Sequence, residues 1–149
     1  MIAVVQRVTR ASVRVGEETV GAIGRGLVVL VAVERDDAPQ HLDWISDKVV
    51  EMRIFDDSDG RMNRSALEVG ADLLVVSQFT LVGDLRRGRR PGFERAAPPE
   101  IARAMFEDLV ARLRQKTPLR VETGRFRERM EVDLVNDGPV TLILRAPDA

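Results

Sequence analysis

The 149-residue chain has no cysteine and no tyrosine, one histidine, and only two lysines against 21 arginines. Each shortage removes a class of chemistry. Without cysteine there is no disulfide, no thiol nucleophile and no thiolate-held metal, a composition that suits a reducing compartment. The lone histidine, His41, is expected at a solvated position in the first turn of a helix. A Ser-His-Asp triad and a histidine-rich zinc site are therefore both without their main residue. Side-chain acid–base work near neutral pH would fall to a carboxylate with a strongly raised pKa. No stretch approaches the ~18 apolar residues of a membrane span, and MIAVVQRVTRASVRV lacks the apolar core of a signal peptide. A cytoplasmic protein with no membrane partner is expected. The formal net charge of −1 calls for no polyanion, so any such partner must be held by a local patch.

What is present reads as one domain over residues 1–149, long enough to bury roughly 68–70% of the surface that its unfolded form exposes. Residues 2–8, 11–15 and 18–23 are short, β-branched segments separated by polar or glycine-containing turns, as successive antiparallel strands are. GLVVLVAVE (26–34) is apolar on both parities and reads as a central strand covered on both faces. Pro39 opens a helix over residues 39–53 whose stripe is Leu42, Ile45, Val49 and Met52. Pro98 and Pro99 open a second, with Ile101, Met105, Leu109 and Leu113 as its buried stripe. DLLVVSQFTLV (72–82), LRVET, MEVDLV and VTLILR complete the strands. Strands in blocks with two interspersed helices, without regular βα alternation, predict an α+β fold built on mostly antiparallel sheet.

Few segments carry chemistry. DDSDG (56–60) resembles a calcium loop until its spacing is checked: aligning Gly60 with the loop glycine puts Phe55 and Ala66 where carboxylates are required, so a solvated loop is expected. Neither a phosphate loop nor a dinucleotide fingerprint is present, and no metal or cofactor is expected. In SQFTL (77–81) a buried strand meets a polar pair, and the Ser77 and Thr80 hydroxyls have backbone groups to satisfy there. LRRGRRPGFERAAPP follows, with five arginines and two acids between Asp84 and Arg95: a solvated loop, or a set of phosphate contacts. LVNDGPVTLIL (134–144) has turn formers between apolar flanks and reads as a hairpin loop. Its Gly-Pro pair removes one side chain and one backbone donor, which a simple turn does not demand.

QRVTRAS (6–12), VGAIGRGL (20–27), SQFTL, LRRGRRPGF (85–93) and NDGPVT (136–141), in this order, resemble the D-aminoacyl-tRNA deacylases from Met1 to about residue 145. The resemblance implies a homodimer with active sites at the subunit interface, which hydrolyses the ester between a D-amino acid and the terminal adenosine of tRNA. It also implies that Gly138 and Pro139 form a cis peptide that projects into the partner's pocket and excludes L-residues. Glycyl-tRNA becomes a second substrate, because glycine has no Cβ to exclude. DNA is not an expected partner.

The same resemblance implies roles for individual residues. Backbone N–H groups of Ser77, Gln78, Phe79 and Thr80 hold the ester, with Ser77 and Gln78 shaping the adenosine pocket. Thr80 is a weak nucleophile candidate in a chain with no histidine to activate it. Arg7 braces the Gly-Pro loop, Phe126 and Met130 line the pocket, and Arg86, Arg87, Arg89 and Arg90 meet acceptor-stem phosphates. Two stretches depart from the family pattern: VGDLRRG replaces a YADTRKG-like run, and RFRERMEV is more charged than the usual RFGADMEV. The competing reading is a non-catalytic RNA-binding module that uses the arginine loop.

Overall fold

The computed structural model describes residues 1–148. Its organising element is β1 (Ile2–Val15), one 14-residue strand in which Thr9 and Arg10 pass straight through what the sequence suggests is a turn. β2 (Glu18–Ile23) and β3 (Gly26–Ala32) both pair antiparallel with β1, β2 against its second half and β3 against its first. β8 (Glu131–Arg145) runs antiparallel along both halves of β1, which is why β1 is not interrupted.

The other half of the sheet is parallel. β6 (Asp72–Ser77) lies parallel to β3, and β7 (Val121–Thr123) parallel to β6. Parallel neighbours need long crossovers. These are supplied by α1 (Pro39–Glu51) between β3 and β6 and α3 (Pro99–Lys116) between β6 and β7. The first crossover also carries a small hairpin, β4 (Phe55–Asp56) with β5 (Met62–Arg64), and a one-turn helix α2 (Ala66–Val69). The α+β class thus holds, with three antiparallel and two parallel pairings in the main sheet.

Strand parity divides the core in two, because successive side chains leave a strand on opposite faces. Leu27, Val29, Val31, Leu73 and Val75 face the helices and pack with Leu42, Ile45, Leu109 and Leu113. Val28, Leu74 and Val76 face the other way, onto Val8, Val13 and Ile23. β3 is therefore covered on both faces by two separate clusters. Close approach of β3 to β6 depends on Gly26, where a Cβ would lie 1.9 Å from the Asp72 carbonyl oxygen.

The helix stripes are largely as periodicity predicts, with three exceptions, of which Met105 of α3 is half-buried rather than buried. Met52 caps the end of α1 and is only half-buried. Ile101 is 52% exposed because it lies in the first turn of α3, ahead of the stretch that reaches the sheet; Phe106 and Val110 fill the core instead. His41 is also unlike its expectation. It is 6% exposed, since its Nδ1 turns inward to accept the Ala38 N–H at 2.8 Å and so caps α1. The DDSDG stretch is a tight loop in which Asp57 Oδ1 accepts the N–H groups of Asp59 and Arg61.

The contrast between Leu109 and Ile101 is measurable. Leu109→Ala, at a fully buried position, should lower unfolding free energy by about 2–5 kcal/mol. Ile101→Ala should change it by no more than about 0.5 kcal/mol. Urea unfolding monitored by circular dichroism checks both.

Candidate active site

The NDGPVT segment is not a hairpin. Gln6 pairs with Thr141 and Val8 with Asn136, so one residue of β1, Arg7, faces four of β8, Asp137 to Val140. The chain bulges there without reversing direction. A bulge leaves ladder groups unpaired, and side chains take them over. Asn136 Oδ1 accepts the Val140 N–H at 2.7 Å, and Asn136 Nδ2 donates to the Val140 carbonyl at 3.1 Å and to Thr141 Oγ1 at 3.0 Å. Sequence reasoning assigned Asn136 no role beyond a turn former.

Arg7 fills the inside of the bulge and is 6% exposed. Its Nε donates to the Asp137 carbonyl at 3.1 Å, and its Nη1 to the Ile54 carbonyl at 2.7 Å and to Asp56 Oδ1 at 3.3 Å. One guanidinium thereby ties β1, the start of the β4–β5 hairpin and the bulge together. A planar fork of donors suits acceptors set on two sides of the side chain in this way. The Gly138–Pro139 peptide is cis, and both residues are exposed at the crest of the bulge. Gly138 has φ +139°, and a Cβ there would meet Val140 Cγ2 at 2.7 Å, which accounts for the missing side chain.

A separate cavity of about 790 Å³ opens where β6 ends. The strand stops at Ser77, short of the predicted 82, because the Gln78 N–H still bonds to Val31 while Phe79–Val82 winds into a 3₁₀ turn. In such a turn the leading N–H groups have no internal acceptor. Those of Phe79 and Thr80 have no partner among the described residues, whereas Leu81 donates to the Gln78 carbonyl. Ser77, Gln78, Phe79 and Thr80 line the cavity together with Phe126 and Met130. Thr80 Oγ1 accepts a hydrogen bond from Gln78 Nε2 at 3.1 Å, and the only carboxylate on the lining is Glu128.

Gly138, Pro139 and Arg7 are not on that lining, nor is the arginine loop. The loop is closed at its base by paired backbone bonds between Asp84 and Gly92. Phe93, a lining residue without an assigned role in the sequence reading, follows it and packs edge-to-face on Phe79 with centroids 5.0 Å apart. Arg86 is committed within the loop. Its side-chain hydrogen bonds to Asp84, seconded by its backbone N–H, hold that carboxyl down at about 2 from an ordinary 3.8. Arg87, Arg89 and Arg90 are exposed. Arg35, Arg127 and Glu128 join the lining from elements that only folding brings together, with no local signature to reveal them.

The cavity, with two unpartnered backbone N–H groups at its edge among the described residues and no histidine, lysine or tyrosine on its lining, is the candidate ligand site of the chain. Comparison with known proteins makes this specific. The D-Tyr-tRNA(Tyr) deacylase family profile matches residues 4–145, and the chain belongs to that family. It is 56% identical over 144 residues to the D-aminoacyl-tRNA deacylase of Thermotoga petrophila, covering 97% of this chain and 96% of the relative. It is 58% identical over 144 residues to that of Anaeromyxobacter dehalogenans, with the same coverage. Among solved structures, the c-Myc DNA unwinding element binding protein superposes with a TM-score of 0.94 at 39% identity, over 99% of this chain and 100% of that one. A structure described as a probable eukaryotic D-amino acid tRNA deacylase shares the fold, with a TM-score of 0.81 at 20% identity over 96% and 97% of the two chains.

Arg7→Met should lower stability by about 2–3 kcal/mol by leaving buried carbonyls unpaired. Arg7→Lys should recover only part of this, because an ammonium lacks the fork. Chemical denaturation of the three proteins measures the difference.

Proposed function

We propose that this D-aminoacyl-tRNA deacylase works in the cytoplasm as a homodimer, releasing free D-amino acid and tRNA with the help of the substrate's own terminal ribose. The observation that carries the reading is the Ser77–Thr80 cavity edge, with its unpaired N–H groups, in a chain of this family. An aminoacyl ester is already activated, and the vicinal 2′-hydroxyl of the terminal ribose can assist the attacking water. The protein then needs to supply positioning and donors for the developing oxyanion. The N–H groups of Phe79 and Thr80 take that part, while Ser77 and Gln78 bound the adenosine, and Phe126 and Met130 contribute apolar wall.

Chirality is read by the Gly138–Pro139 crest of the second subunit. Its absence from the lining of its own chain's cavity supports this, as do the exposed apolar side chains of Val135, Leu142 and Ile143 along β8, which suit cover by a second copy. Backbone carbonyls of the crest form a wall against the substrate's Cα. A D-residue turns its hydrogen to that wall; an L-residue would drive Cβ into it, so selectivity comes from exclusion. Arg7 and Asn136 keep the wall in place. Glycine lacks a Cβ and is not excluded, so glycyl-tRNA is a second substrate.

Hydrolysis of D-aminoacyl-, L-aminoacyl- and glycyl-tRNA by the purified protein tests the reading. Loss of the ester from the D- and glycyl-forms only is expected, and none from a D-substrate with a 2′-deoxy terminal ribose. Equal loss from D and L would remove the chiral wall, and loss from none would leave an RNA-binding module using Arg87, Arg89 and Arg90. Thr80→Ala should retain activity within about tenfold of wild type, since the backbone donor survives. A fall of about 10⁶-fold, the order seen on deleting a nucleophile, would assign the attack to its hydroxyl.

A further inference from the structure

Arg127 has φ +64°, the sole non-glycine residue at positive φ among the described residues. Left-handed backbone disfavours any side chain that lacks a short local hydrogen-bonding group, as arginine does. Strain of this kind is held in place by the surrounding structure and clusters at active sites and ligand clamps. Arg127 lies on the lining of the Ser77–Thr80 cavity and is exposed, so its guanidinium can reach solvent at the mouth.

Its charge is uncommitted. Arg125 is paired with Glu18 at 2.9 Å, and Arg35 Nε donates to the Glu94 carbonyl. Arg127 has no ion pair or side-chain hydrogen bond among the described residues. Next to it, Phe126 is half-buried, its ring packed near Phe106 and covered by the exposed Arg103 guanidinium of α3, 5.1 Å from the ring centroid, so that Arg103 is a second exposed cation close by. An uncommitted arginine with a second exposed cation nearby at the entrance of a cavity suits the backbone phosphates of single-stranded nucleic acid.

We propose that Arg127 binds a backbone phosphate of the single-stranded 3′ end of the RNA substrate, next to the terminal nucleoside. The strand thus enters the cavity over the Phe126–Arg127 rim, and the Arg87–Arg90 loop serves more distant parts of the RNA. This rests on the substrate reading given under Proposed function. It adds a binding residue at a position where the backbone alone would favour glycine.

Arg127→Gly separates the role in binding from one in folding, because the two respond in opposite directions. The expected result is an unchanged or higher melting temperature. KM for D-aminoacyl-tRNA should rise about tenfold at low salt, the order expected for one charged contact. The slope of log(kcat/KM) against log[salt] should become shallower by about 0.7–0.9, one phosphate's share. Arg127→Lys should keep most of that slope. Wild-type KM and slope in Arg127→Gly would overturn the contact. So would a KM change accompanied by dissociation of the dimer in light scattering, which would assign Arg127 to the subunit interface. Failure of the wild-type protein to hydrolyse D-aminoacyl-tRNA would instead overturn the substrate reading, and the contact with it.

Discussion

The buried guanidinium of Arg7 is the constraint on which the rest of this structure turns. A cation taken from water must have its donors satisfied, and the three acceptors come from two distant parts of the chain: the Ile54 carbonyl and Asp56 carboxylate at the start of the β4–β5 hairpin, and the Asp137 carbonyl in the β8 bulge. Neither segment holds the charge alone. Arg7 can be buried only when β1, the β4–β5 hairpin and the β8 bulge are together, and in return it sets how far the bulge stands from the sheet. Asn136 completes the bulge from the other side by replacing the backbone rungs that Asp137 to Val140 cannot make.

The cavity rests on a comparable economy. β6 is long enough to carry Leu73, Val75 and Val76 into two cores, and it ends where Gln78 makes the last bond to β3. The turn that follows leaves two N–H groups pointing away from any internal acceptor, and donors held in place by a rigid strand are suited to a developing negative charge. The one histidine is already used to cap α1, so the cavity has no imidazole base, and the charged side chains on its lining are Arg35, Arg127 and Glu128. The scarcity of side-chain bases and the supply of backbone donors are two sides of the same design.

Much of the architecture was legible from periodicity. The apolar run of β3 and the stripes of α1 and α3 follow from the requirement that each element hide one or both faces, and the prolines mark the helix starts. Ile101 fell outside its stripe because periodicity reports a direction around the helix axis and not how far along it the sheet extends. His41 was misplaced because a cap can turn a polar ring inward, which composition does not reveal. The hairpin expected for NDGPVT became a bulge. Turn formers specify local dihedral angles, and those suit a bulge as well as a reversal.

By itself the sequence determined which elements form, which faces they bury, and which reactions lie beyond the side chains available, since those depend on local spacing and composition. Only the tertiary structure decided that β1 runs unbroken, that Arg7 stands opposite Asp137 to Val140, and that Phe93, Phe126 and Arg127 meet around Ser77–Thr80. These are contacts between distant segments. Their partners are chosen by which buried charges and unpaired backbone groups can be satisfied at once, a condition that no local stretch of chain expresses.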